Sequence, residues 1–114
     1  MTVDVIALCQ EQPDIQATLA ALLEAGPGLR LRPIERGGLV QLCDDGGAPL
    51  VTVEGPSLVQ VPGEVERLLG TEIAPPVWWV ELRARDHHPE ALRVARRFAG
   101  VLAQATGGVT WPNR

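Results

Sequence analysis

The densest run of chemically able side chains is Arg85-Asp86-His87-His88-Pro89-Glu90. Adjacent imidazoles titrate near neutral pH, so they can exchange protons with a substrate or, together with Asp86, ligate a metal. A helix that starts at Pro89 would also aim unpaired backbone amides at its N-terminus, where Arg85 and a histidine could help hold a phosphate or carboxylate. Arg85, His87 and His88 are therefore the ligand-binding candidates. The same run also reads as a helix start, with Asp86 or His88 as the cap, Pro89 in the first turn and Glu90 favoured by the helix dipole. Sequence neighbours rarely converge on one ion, and the chain has no third histidine. No metal, cofactor or catalytic residue is expected, and the chain reads as non-catalytic.

A second group lies just before this run, in Val77-Trp78-Trp79-Val80-Glu81-Leu82-Arg83-Ala84-Arg85. Strand alternation puts Trp78, Val80, Leu82 and Ala84 on one face and Trp79, Glu81, Arg83 and Arg85 on the other. Tryptophan and arginine are the side chains that dominate protein interfaces, so Trp79, Glu81 and Arg83 are interface candidates. The alternative for Trp79 is a roof supplied by a short helix over Glu64 to Leu69. A third group, Arg93, Arg96 and Arg97, shares the polar side of the helix that follows. These two interface groups are expected on opposite layers, with one of them carrying the main contact.

Several chemistries have no foothold. The sequence has no phosphate loop, dinucleotide glycine fingerprint, Gly-x-Ser-x-Gly elbow, His-Glu-x-x-His helix or paired-cysteine zinc pattern, and it has no internal repeat. Cys9 and Cys43 stand in apolar, strand-like contexts and read as buried thiols in a reducing cytoplasm. A net charge of −4 argues against a general nucleic-acid binder, whose affinity comes from clustered cations. Charge is uneven along the chain, because the segment after residue 75 carries Arg83, Arg85, Arg93, Arg96, Arg97 and Arg114 against Glu81, Asp86 and Glu90. Arginine is the only basic residue besides histidine, and alanine, glycine, proline and valine are abundant, which fits a GC-rich bacterial genome. The N-terminus lacks a basic leader and the apolar stretch around Leu19 is too short to span a bilayer, so no membrane association is expected.

The elements that must position these groups follow from periodicity. Thr2 to Cys9 is apolar in both registers after Asp4, as suits a central strand covered on both faces. Pro13 and Asp14 open a helix in which Ile15, Leu19, Leu22 and Leu23 recur at helical spacing, predicting that this row packs on the sheet. From Leu29 to Val61 the period changes to two, with turn chemistry at Arg36-Gly37-Gly38, Asp44 to Gly47 and Glu54-Gly55-Pro56, which predicts a meander of four short strands. Glu64 to Leu69 reads as a helical turn covering a sheet edge. Ala91, Val94, Ala95, Phe98, Val101, Leu102 and Ala105 form the apolar stripe of the last helix, closed by Gly107-Gly108.

At 114 residues the natural count is one domain, 1–114. The expected fold is α+β: a two-layer sandwich with a mixed, mainly antiparallel sheet of five to six strands, two long helices on one face and a short helical turn. The right-handedness of parallel crossovers puts both helices on the same face if the first and last strands are neighbours.

The pattern A-x-x-x-A-x-R-F-A-x-x-L-A-x-x-T-G-G-x-x-W, from Ala91 to Trp111, resembles the closing helix and strand of small bacterial immunity-type proteins. That resemblance implies a toxin partner and no reaction. The residues themselves lead to a similar expectation: an interaction module that binds another protein, or a second copy of itself as a homodimer, through the mixed-polarity sheet face or the arginine-rich helix face. An anion-binding protein, small-molecule binder or small enzyme built on the Arg85 to Glu90 turn is the alternative.

Overall fold

Leu8 and its neighbours explain the architecture, because from Val5 to Cys9 every side chain is buried whichever way it points. A strand with no polar face must lie inside a sheet that is covered above and below. In the computed structural model, which describes residues 2–35 and 39–112, this strand, β1 (Thr2–Cys9), does so. The elements that follow it are α1 (Ile15–Ala25), β2 (Arg30–Glu35), β3 (Leu39–Cys43), β4 (Pro49–Val59), α2 (Glu64–Leu69), β5 (Val77–Arg85), α3 (Pro89–Ala105) and β6 (Val109–Trp111). The six strands form one sheet in the order β2-β3-β4-β5-β1-β6. The Arg36-Gly37-Gly38 turn and the last two residues lie outside the described residues.

The fold is the expected α+β sandwich, and each of the five strand pairings is antiparallel. β1 therefore neighbours β5 and β6 without a parallel pair, but the crossover rule still acts at longer range. β1 and β2 point the same way with three strands between them, while β5 and β6 point the opposite way with β1 between them. The two connections run in opposite directions and step to opposite sides, so crossovers of one hand bring α1 and α3 to the same face.

On that near face, Val5, Ala7, Val51, Val53, Val80, Leu82 and Ala84 pack beneath Val94, Phe98 and Leu102 of α3. The α3 stripe is buried at Ala91, Val94, Ala95, Phe98 and Leu102 as its periodicity predicts. Val101 is half-buried and Ala105 exposed, however, and Ala99 and Ala103 are buried in addition, so the packed face is turned toward that alanine row. α1 departs from its predicted row: Ala21 and Ala25 are the residues it buries, whereas Ile15, Leu19 and Leu23 remain 78%, 51% and 67% exposed. Small side chains let α1 settle closely beside α3, and the larger row at i, i+4 and i+8 turns outward. Asp14 is its N-cap, accepting a 2.7 Å hydrogen bond at Oδ1 from the Ala17 amide, and Pro13 precedes the cap instead of entering the first turn.

The meander also differs from expectation at one point. Glu54-Gly55-Pro56 is no turn; β4 continues through it as a bulge that shifts the register between Glu54 and Ser57. The segment thus has three strands, not four. Gly55 has φ 112°, and a Cβ there would stand 2.7 Å from the Trp79 carbonyl oxygen, so the close approach of β4 to β5 requires glycine. Gly108 is constrained in a similar way at the start of β6, where a Cβ would overlap the Leu8 carbonyl.

On the far face, Ile6, Leu8 and Val77 form a second, smaller core with Val65 of α2, flanked by Val59, Leu69, Ile73, Trp79 and Trp111. α2 thus lies over the sheet's apolar end, and it is the face that it covers more than an edge. A six-residue helix has no stability of its own. It is held by burial of Val65 and by a 3.1 Å hydrogen bond from Trp111 Nε1 to the Leu69 carbonyl. Gln10 Nε2 donates to the carbonyls of Ala74 and Pro76, fastening the segment that leads into β5.

Candidate functional site

The far face is built in rows, because residues paired across antiparallel strands share a face. Ser57, Trp79 and Leu8 make one row; Glu54, Glu81 and Ile6 make the next; Arg32, Gln41, Thr52, Arg83 and Asp4 make the third. α2 roofs the first row and part of the second. Beyond its edge the sheet is open, and a groove of about 390 Å³ runs between Trp79, Val59 and Leu68 on its apolar side and Glu54, Glu81 and Arg83 on its charged side. Trp79 is therefore partly roofed and partly open: it belongs to the second core and also forms a wall of the groove.

The bulge in β4 sets this geometry. By shifting register it places the small Ser57 opposite Trp79, leaving room above the indole, and it keeps Glu54 opposite Glu81. Two carboxylates directly across a strand pair repel each other. Arg83 relieves this, with its guanidinium 2.6 Å from Glu81 Oε2 and 3.5 Å from Glu54 Oε2. At the roof, Glu64 pairs with Arg67, and that guanidinium holds the Glu64 carboxyl below the usual carboxylate range.

The arginines of α3 lie across the sheet from this groove. Arg93 is occupied within the fold, donating to Glu90 and, at 3.3 Å, to the Ala25 carbonyl at the end of α1. Arg97 bridges to Glu24 of α1 at 2.9 Å. Both fasten one helix to the other, and Arg96 alone of the three makes no hydrogen bond among the described residues. The Glu90 carboxyl sits below its ordinary range because Arg93 is beside it.

The histidine turn does not bring its three candidates, Arg85, His87 and His88, together. His88 is the N-cap of α3, its Nδ1 accepting from the Ala91 amide at 3.3 Å, and Pro89 occupies the first turn. In the neutral ring the proton must then reside on Nε2. His87 projects into solvent from a left-handed backbone, φ 59°, beside Asp86. Arg85 follows Arg83 onto the far face, so it does not join His88. A recess of about 270 Å³ does adjoin His88, but it is lined by Asp44, Asp45 and Glu90 as well as Arg93. An anion would enter it against three carboxylates. No group of three or more potential metal ligands occurs among the described residues.

Two features were missed in the sequence. The outward row of α1 was hidden because leucine outweighs alanine in any apolar pattern. Glu54 was missed because the Gly55-Pro56 pair read as the end of a strand, and a residue at a strand end has no cross-strand partner. The register of the neighbouring valines, Val51 and Val53 against Ala84 and Leu82, is the signal that places it. Both cysteines are free and buried, Cys9 on the near face and Cys43 at the end of β3. Burial pushes the Cys9 thiol above its ordinary value, against a smaller opposing effect of its hydrogen bond with Thr106.

Comparison of the chain with protein-family models, with curated proteins and with solved structures returned no match. The functional reading therefore rests on the groove and its surroundings.

Proposed function

We propose that the chain is a non-catalytic interaction module that binds another protein through the open half of its far sheet face, with Trp79 as anchor and Glu54, Glu81 and Arg83 around it. The observation that carries this reading is the incomplete roof: α2 covers Ile6, Leu8 and Val77 but leaves Trp79 facing an open groove. Protein interfaces combine an apolar centre containing aromatic residues with a polar rim, and they match ordinary surface in overall polarity. The Trp79 groove has that composition. The arginine face of α3 supports the reading less, because Arg93 and Arg97 already have partners within the fold.

Free, buried thiols at Cys9 and Cys43 are consistent with a cytoplasmic setting, and no helix among the described residues is long and apolar enough to cross a membrane. The partner can be a different protein or a second copy. Size-exclusion chromatography with light scattering on wild type and Trp79→Ala distinguishes these, alongside affinity capture with each form as bait. Wild type is expected to self-associate or retain a partner that Trp79→Ala loses. A monomer in both forms with no Trp79-dependent partner sinks the proposal.

A further inference from the structure

The charge around the groove narrows the kind of partner. Glu54, Glu64 and Glu81 line it with Arg83; Glu64 is already paired with Arg67, which leaves Glu54 and Glu81 sharing the one guanidinium of Arg83. Arg83 takes Oε2 of both Glu54 and Glu81. Among the described residues, Oε1 of each accepts no hydrogen bond, although an ionised carboxylate has lone pairs for several donors. Glu81 follows Trp79 on the same face of β5, and Arg83 lies one further step along. Glu81 thus lies between Trp79 and Arg83 along β5, with Glu54 opposite it, and both glutamates line the same groove as the apolar wall made by Trp79, Val59 and Leu68.

An apolar wall that shares a groove with unengaged carboxylate oxygens complements an aliphatic stem that ends in a cation. Lysine and arginine side chains have that form: their methylenes cover apolar surface and their heads seek charge or an aromatic face. We propose, resting on the interaction-module reading above, that the groove receives a basic segment of a protein partner, one lysine or arginine side chain lying across Trp79 with its head at Glu54 and Glu81. The net charge of −4 favours encounter with such a partner. Arg83 is then an internal competitor for the same carboxylates.

The test is selection of a displayed library of random linear peptides on the full chain, with counter-selection on Trp79→Ala. Trp79-dependent binders are expected to be enriched in lysine and arginine. A synthetic peptide from that set should bind Glu54→Gln/Glu81→Gln at least about tenfold more weakly than wild type, as loss of close charge partners requires. The same peptide should bind Arg83→Gln more tightly than wild type, a gain that no merely structural role for Arg83 would give. Circular dichroism melts on each variant confirm that it folds, and the glutamine pair keeps the outcome readable if Trp79→Ala does not. Trp79-dependent peptides without basic residues overturn the inference and leave the interaction module standing, as does a basic peptide indifferent to the glutamine pair. If no Trp79-dependent peptide emerges, both fall.

Discussion

The two faces of the sheet are made from the same strands but are covered very differently. On the near face α3 lays Val94, Phe98 and Leu102 over a continuous floor of valine, leucine and alanine, and α1 packs beside it through Ala21 and Ala25. On the far face a six-residue helix contributes one fully buried side chain, Val65, and the cover stops at Trp79. Buried apolar area sets most of the stability of a fold, so the near face, with the larger core, contributes more to it than the far face with its smaller one. The division is also chemical: charged groups on the near side serve to join α1 to α3, whereas those on the far side meet one another around an open groove.

Truncation on the near face should therefore have the largest effect. Phe98→Ala removes the only phenylalanine, at the centre of that core, and should cost roughly 3 to 5 kcal/mol, read as a shift in the urea midpoint at unchanged m-value. Val65→Ala is the matching cut on the far face. Losing about two methylenes there should cost roughly 1 to 2 kcal/mol. Its sharper signature is local, because amides of α2 should exchange sooner while those of α3 stay protected. If the two substitutions cost the same, or if Val65→Ala weakens α3 equally, the two faces are not unequal in the way described.

The near core also contains a titrating group, and its pH dependence can be read with little interference. Burial raises the Cys9 pKa in the folded chain. Its contribution to stability is thus complete below the unfolded thiol value, about 8.5, and is lost as pH rises through the folded value. The chain has no tyrosine and no lysine, the side chains that ordinarily crowd the alkaline range. The urea midpoint should fall on going from neutral to strongly alkaline pH, and Cys9→Ala should fall less. Equal slopes for the two would place Cys9 in contact with water.

Much of this contrast was legible in the residues, and the exceptions have physical causes. β5 alternates large apolar residues with charges, so its two faces separate without ambiguity. α3 opposes Phe98 and Leu102 to a row of arginines, which leaves one possible orientation. The shared side of α1 and α3 also matches expectation, although that expectation assumed a mixed sheet and every pairing among the described residues is antiparallel. β4 was misread because glycine and proline are local signals for a turn, while the continued pairing of Ser57, Leu58 and Val59 with β5 is a tertiary fact. The groove depends on that pairing, since it sets Ser57 against Trp79 and Glu54 against Glu81. The histidine turn was the reverse case: its residues suggested chemistry, and the backbone uses His88 as a cap.

The orientation of α1 supplies the smallest and most exacting test. Hydrophobicity alone would bury Ile15, Leu19 and Leu23, but close packing against α3 favours the row that contains Ala21 and Ala25. Leu19→Gln and Leu23→Gln retain helix propensity while removing apolar surface from the exposed row. Each should change stability by no more than about 0.5 kcal/mol, as for other surface positions without special contacts. The urea midpoint is the measurement. A cost approaching that of Phe98→Ala would mean that the leucines are the packed row and that α1 is rotated about its axis, taking with it the surface bridge between Arg97 and Glu24.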